Sequence, residues 1–121
     1  MAFIEIDAQI NDVELQQHLD ELANDEQTML AIHDLLAKMC DPYVPFLNGP
    51  LSQTVEVSPQ SVKYVQPYAR YQYYGTEFNH TIDYHPQATA LWDQVMLSEH
   101  GEEFRNQVRD ILRRRIKELY G

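Results

Sequence analysis

Apolar and polar positions alternate from Ala2 to Asp7. Phe3, Glu5 and Asp7 face one way, while Ile4 and Ile6 share a side with Ala2 and Ala8, which predicts a short strand. The period then changes. Leu15, Leu19 and Leu22 recur at helical spacing behind a start signal at Asn11 and Glu14. Asn24 and Gln27 repeat that signal, and Met29, Ile32, Leu36 and Met39 form a second helical stripe. The two stripes read as two helices or as one bent helix. Either must stop near Asp41-Pro42, because proline disfavours helical backbone at the preceding residue and lacks an amide donor.

Asp41 to Pro50 holds three prolines and a glycine and reads as a loop. Leu51 to Val57 alternates again, with Leu51, Gln53, Val55 and Val57 set against Ser52, Thr54 and Glu56. A turn over Ser58–Ser61 and a returning strand over Val62–Val65 complete an antiparallel hairpin. Pro67 suits a first helical position, so Tyr68–Tyr74 reads as a short helix ended by Gly75. Residues 76–87 carry little periodicity and read as a long loop or irregular β segment. A helix follows from about Gln87 with Leu91, Val95 and Met96, interrupted at Gly101. The last helix, Glu102–Leu119, has Phe104, Val108, Ile111, Leu112, Ile116 and Leu119 as its apolar stripe.

This order predicts an α+β fold: N-terminal helices, a central antiparallel β hairpin or small sheet, and a long C-terminal helix. The 121 residues suit a single domain spanning 1–121, and a hydrophobic content of 44% supports a buried core. Cys40 is the one cysteine, so no intrachain disulfide is possible. The chain shows neither a signal-peptide pattern nor an apolar run of the ~20 residues that cross a bilayer, which predicts a soluble protein made in the cytoplasm, with no membrane partner.

Charge sharpens the picture. The net charge is −10, which opposes long-range attraction to DNA. Its distribution is uneven: residues 101–121 hold six of the nine basic residues, Arg105, Arg109, Arg113, Arg114, Arg115 and Lys117, and residues 1–100 carry a net −12. An acidic body with a basic end can attract further copies of itself. A solvated helix face accounts for the same distribution, and charge alone favours that plainer reading.

Candidate chemistry is sparse. His80, Asp83 and His85 are residue types that bind transition metals. Their spacing matches no motif with a known mechanism, and polar loops commonly hold histidines, so the balance is against a metal site. Cys40 lies seven residues, two helical turns or roughly 11 Å, from His33, too far for a nucleophile–base pair. A buried, inert thiol is the better reading. Neither a phosphate-cradling loop nor a dinucleotide fingerprint is present, so no cofactor is expected and the chain does not read as an enzyme. The aromatic run Tyr64, Tyr68, Tyr71, Tyr73, Tyr74 and Phe78 is more unusual. Only Lys63 and Arg70 lie near it, too few cations for a base-stacking nucleic-acid platform, and tyrosine equally suits a core margin or a protein interface. The Arg113–Arg115 cluster suits either DNA or an acidic protein neighbour.

Two strings carry a resemblance. Pro42-Tyr43-Val44-Pro45-Phe46-Leu47-Asn48-Gly49-Pro50-Leu51 before the hairpin, and Pro67-Tyr68-Ala69-Arg70-Tyr71-Gln72-Tyr73-Tyr74-Gly75 after it, resemble minor capsid proteins of tailed phages of Gram-positive bacteria. Those proteins resemble in turn the wider head–tail joining, or neck, group. His85-Pro86 through Trp92 and Asp93 is similar to the segment before that family's last helix. The likeness touches about residues 25–120. Pro50 directly after Gly49, and a hairpin opening reduced to Ser52, depart from the commoner pattern. The resemblance implies a structural virion protein at the head–tail interface, in a homo-oligomeric ring with other head, connector or tail proteins as partners. It implies no cofactor and no catalytic residue, and contact with DNA at most as it passes through the channel. The expected protein interface is Tyr68, Tyr71, Tyr73 and Tyr74 together with Arg113, Arg114, Arg115 and Lys117. A small adaptor or regulatory domain that binds proteins through the Tyr68–Tyr74 patch is the alternative.

Overall fold

The computed structural model describes residues 4–8, 10, 12–44, 55–65, 69–75 and 89–120, with the backbone alone at 70–72. The chain folds as β1 (Ile4–Ile6), α1 (Val13–Glu21), α2 (Glu26–Cys40), β2 (Val55–Val57), β3 (Val62–Tyr64), α3 (Ala69–Tyr74) and α4 (Trp92–Tyr120). This is the expected α+β architecture, closing on a long helix. Residues 45–54, 66–68 and 76–88 lie outside the described residues. With them go most of the proline-rich loop, the first half of the expected strand before Val55, and the segment holding His80, Asp83 and His85.

The sheet has the order β1-β3-β2, antiparallel throughout. The hairpin register pairs Val57 with Val62 and Val55 with Tyr64. Ser58 closes the turn, its amide donating to the Ser61 carbonyl at 2.9 Å. On the other side of β3, Ile4 pairs with Tyr64 and Ile6 with Val62, so β3 is the central strand. The period of two sends Ile4, Ile6, Val62 and Tyr64 into the core. Glu5, Lys63 and Glu56 share the opposite face, where Lys63 sits 3.9 Å from Glu5.

α1 and α2 are two helices separated by a turn at Leu22–Asn24 rather than one bent helix. Their caps fall one residue later than the Asn11 and Asn24 signals suggest. Asp12 caps α1, its side chain accepting from the Leu15 amide at 3.1 Å, and Asp25 stands at the cap of α2. A carboxylate there is favoured over an amide by the helix dipole. α2 ends at Cys40 and tightens into a 3-10 turn over Asp41–Tyr43, where Pro42 blocks a further α-turn. α2 packs against β2 and β3 on one side and along α4 on the other.

α4 starts at Trp92, later than the apolar pattern from Gln87 suggests. Leu91 adopts φ 48°, a left-handed conformation costly for a branched side chain, and its amide donates to the Tyr73 carbonyl at 2.8 Å. That turn drives Trp92 into the core, edge-on to Tyr73 at 4.8 Å and to Tyr64 at 5.1 Å. The expected interruption at Gly101 falls one residue earlier, at His100 (φ −130°, ψ 21°). Gly101 itself is buried. Beyond the kink, Phe104, Val108 and Leu112 are buried and Ile111 and Ile116 half-buried, as their spacing predicts. Leu119, expected on the same stripe, is 45% exposed, because no other element among the described residues reaches the last turn.

Candidate interaction surface

The basic residues of α4 divide into two sets by their partners. Arg109 reaches Asp12, the cap of α1, at 2.6 Å. Arg115 reaches Asp25, the cap of α2, at 2.6 Å and Glu118 at 3.1 Å. The six-residue separation carries the pair from one cap to the next, so α4 clamps both preceding helices at their starts. The Leu15 amide first, and then Arg109, hold the Asp12 carboxyl below its ordinary range. Asp25 is held low chiefly by Arg115 and then by the Thr28 hydroxyl, which donates to it at 2.5 Å. Arg115, expected at a protein interface, is therefore committed within its own chain.

The second set points outward. Arg113, Arg114 and Lys117 are exposed, and none of them has a carboxylate partner among the described residues. Arg114 makes one long contact with its own helix, to the Asp110 carbonyl at 3.3 Å. The outward strip lies between two grooves. One, of about 390 Å³, runs between α1 and α4 over Leu15, Leu112 and Ile116. The other, of about 230 Å³, runs between α2 and α4 over Ala31 and Ile111.

The tyrosines also divide. Tyr73 is 6% exposed and donates to Asp93 at 2.5 Å, which places it in the core beneath α4 and removes it from the expected interface. Tyr64, grouped with Tyr68 and Tyr71 on sequence spacing, is fully buried under Trp92, because its strand alternation points it inward. Tyr74 is 59% exposed and rests edge-on against Tyr73. Tyr68 and the Tyr71 side chain lie outside the described residues. Tyr43 donates to Glu99 at 2.5 Å; that hydrogen bond and burial push its hydroxyl up to about 12. Together Tyr43 and Tyr73 tie the 3-10 turn and α3 to the first half of α4.

Cys40 and His33 hold structural positions in the core. Cys40 is fully buried, and burial, followed by the nearby Asp93 and Asp41 carboxylates, pushes its thiol well above the ordinary range. His33 does not face it. The His33 Nδ1 donates to the Met29 carbonyl at 3.0 Å, and Nε2 lies 2.6 Å from the Asp7 carboxylate, which also accepts from the Ala8 amide at 2.7 Å. A buried imidazole bonded at both nitrogens fastens the end of β1 to α2, and sequence spacing within α2 gave no hint of this contact. Among the described residues no cluster of histidine, cysteine and carboxylate side chains is arranged to hold a metal. His80, Asp83 and His85 lie outside the described residues. No helix among the described residues is long and apolar enough to cross a membrane.

What the surface offers is charge and a few apolar edges. A family model described as minor capsid protein matches residues 4–110, from the first strand to the third turn beyond the kink in α4. The chain belongs to the minor capsid protein family. No curated protein and no solved structure gives a significant match. Family membership assigns this minor capsid protein a structural role in the phage particle and places it in the virion among other virion proteins. The match takes in β1, which the strings at 42–51 and 67–75 did not reach. It stops short of Ile111–Tyr120, the stretch that carries the outward cations.

Proposed function

We propose that this minor capsid protein is a subunit of the joint between phage head and tail, assembled with further copies into a ring. The contact between copies is made by the outward strip Arg113, Arg114 and Lys117 against acidic surface on the neighbour. A ring needs two different faces that fit each other. Three exposed cations with no carboxylate partner among the described residues, at one end of an acidic chain, supply such a pair. That observation carries the reading: Arg109 and Arg115 account for the helix clamps, whereas these three cations reach no carboxylate among the described residues, and the one internal contact of Arg114 is a long one to the Asp110 carbonyl of its own helix. Tyr74 offers a second, aromatic point of contact. Tyr68 and Tyr71, expected at the interface from the sequence, stay in the proposal on that ground alone. An acidic body (net −12 over residues 1–100) would let DNA pass without gripping it.

The test is a particle carrying Arg113→Glu, Arg114→Glu and Lys117→Glu together. All three side chains are exposed, so the variant is expected to fold. The expected result is filled heads without attached tails and loss of the protein from purified particles. Normal tailed particles that still contain the variant would refute the charge contact. The adaptor reading loses its central residue, because Tyr73 faces the core.

A further inference from the structure

The last turn of α4 is an apolar helix end that no other element covers among the described residues. The stripe Phe104, Val108 and Leu112 is buried; Ile116 continues it half-covered; Leu119 and Tyr120 leave it 45% and 81% exposed. Beside it lies the groove between α1 and α4, with Leu15, Leu112 and Ile116 along its floor. Exposed apolar side chains next to an open apolar groove are an arrangement that a second surface normally covers.

We infer that, before it enters the particle, the free protein pairs with a second copy through this end, each copy laying Leu119 and Tyr120 into the α1–α4 groove of the other. The inference rests on the reading of the α4 end as a docking face and says what covers that face first. Two observations favour a second copy as the occupant. The first is spacing. Leu112 and Tyr120 are eight residues apart, about 12 Å along a helix, with Ile116 midway. Two such ends laid antiparallel about Ile116 therefore bring each Tyr120 to the other's Leu112. Tip and groove are matched to each other on one helix, so a two-fold contact satisfies both at once, whereas a one-way contact leaves one tip bare. The second is charge. The groove is edged by the exposed Glu14 on α1 and Arg113 on α4, while the tip carries Lys117 and Glu118. Antiparallel pairing sets Lys117 of each copy toward Glu14 of the other, while Glu118 stays with Arg115 of its own chain. The remaining charged pair at the groove, Asp12 with Arg109, is already closed within the chain. Pairing would hide Arg113 and Lys117 until a virion surface displaces the second copy, which delays ring formation.

Cysteine crosslinking of the full chain tests this directly, since the native Cys40 is buried. Glu14→Cys and Lys117→Cys proteins, mixed and mildly oxidised, are expected to form a covalent dimer. The doubly substituted chain is expected to stop at two copies. A ladder of higher species from that chain would overturn the two-fold arrangement, and absence of any crosslink would overturn pairing altogether. Sedimentation provides a second reading: Leu119→Glu is expected to weaken the dimer at least tenfold with the helical signal unchanged. A wild-type chain that stays monomeric at high concentration, or a variant that dimerises as wild type does, would also defeat the inference. Failure here is separable from failure of the ring reading. A monomeric protein whose Arg113, Arg114 and Lys117 charge reversal still blocks tail joining would sink the pairing alone. A crosslinked dimer whose charge-reversed form still builds normal particles would sink the joint contact alone.

Discussion

Leu112 and Leu119 are the same residue type on the same helical stripe, seven residues apart, and sequence spacing assigns them the same role. Leu112 is 2% exposed and packs among Leu15, Val108 and the rest of the core, while Leu119 is 45% exposed. Replacing each with alanine separates burial from pattern. At Leu112 the loss combines the transfer free energy of the removed methyl groups with the cavity left behind, about 3 kcal/mol within a range of roughly 2–5. At Leu119 little burial is lost, and alanine's slightly better helix propensity offsets some of that, so the change is within about 0.5 kcal/mol. A chain of 121 residues has an unfolding entropy of about 0.25 kcal/mol per degree. The expected fall in Tm is then about 12 °C for Leu112→Ala and at most about 2 °C for Leu119→Ala. Thermal melts by circular dichroism should be run at low protein concentration, because pairing through Leu119 would add stability as concentration rises. Equal shifts for the two variants in dilute protein would refute the packing argument for α4.

Acid should release the two helix clamps. The carboxyls of Asp12 and Asp25 are depressed in the folded chain, so their contribution is present above the ordinary carboxylate range and is lost as pH falls below about 4. The difference in Tm between wild type and Asp25→Asn should be constant from pH 5 to 7, as order-of-magnitude bounds from those carboxylate values, and shrink toward zero in stronger acid; a difference independent of pH would refute the clamp. Alkali should act in the opposite sense through Tyr43. Its raised hydroxyl keeps the proton in the folded chain while the unfolded chain loses it near 10, so stability present below about pH 10 is lost as pH rises toward about 12. The part of the tyrosinate absorbance that Tyr43→Phe removes should be the part that appears together with unfolding; if that substitution instead removes absorbance that rises while the chain is still folded, the reading is contradicted. Gly101→Ala should be neutral or stabilising by up to about 1 kcal/mol, because among the described residues the added carbon meets only the movable end of Arg105 at 3.2 Å while the helix gains propensity; a marked fall in Tm would show that the kink needs glycine.

Local patterns were enough to place most elements of this protein. The period of two put Ile4 and Ile6 on one face and the hairpin at Val55–Tyr64; the period of about 3.6 found both N-terminal helices and the buried stripe of α4. These depend on short-range geometry, which the order of residues records directly. The two central strings also pointed to the minor capsid family. Contacts between distant residues were not written in any local period. Nothing near Arg109 or Arg115 identifies Asp12 and Asp25 as their partners, nor Asp7 as the partner of His33, because each depends on how separate elements pack. The same holds for Tyr73 and Leu119. Both looked equivalent to their neighbours, and what separated them was whether another element came to cover them: α4 lies over Tyr73, while none of the described elements reaches the last turn of the long helix.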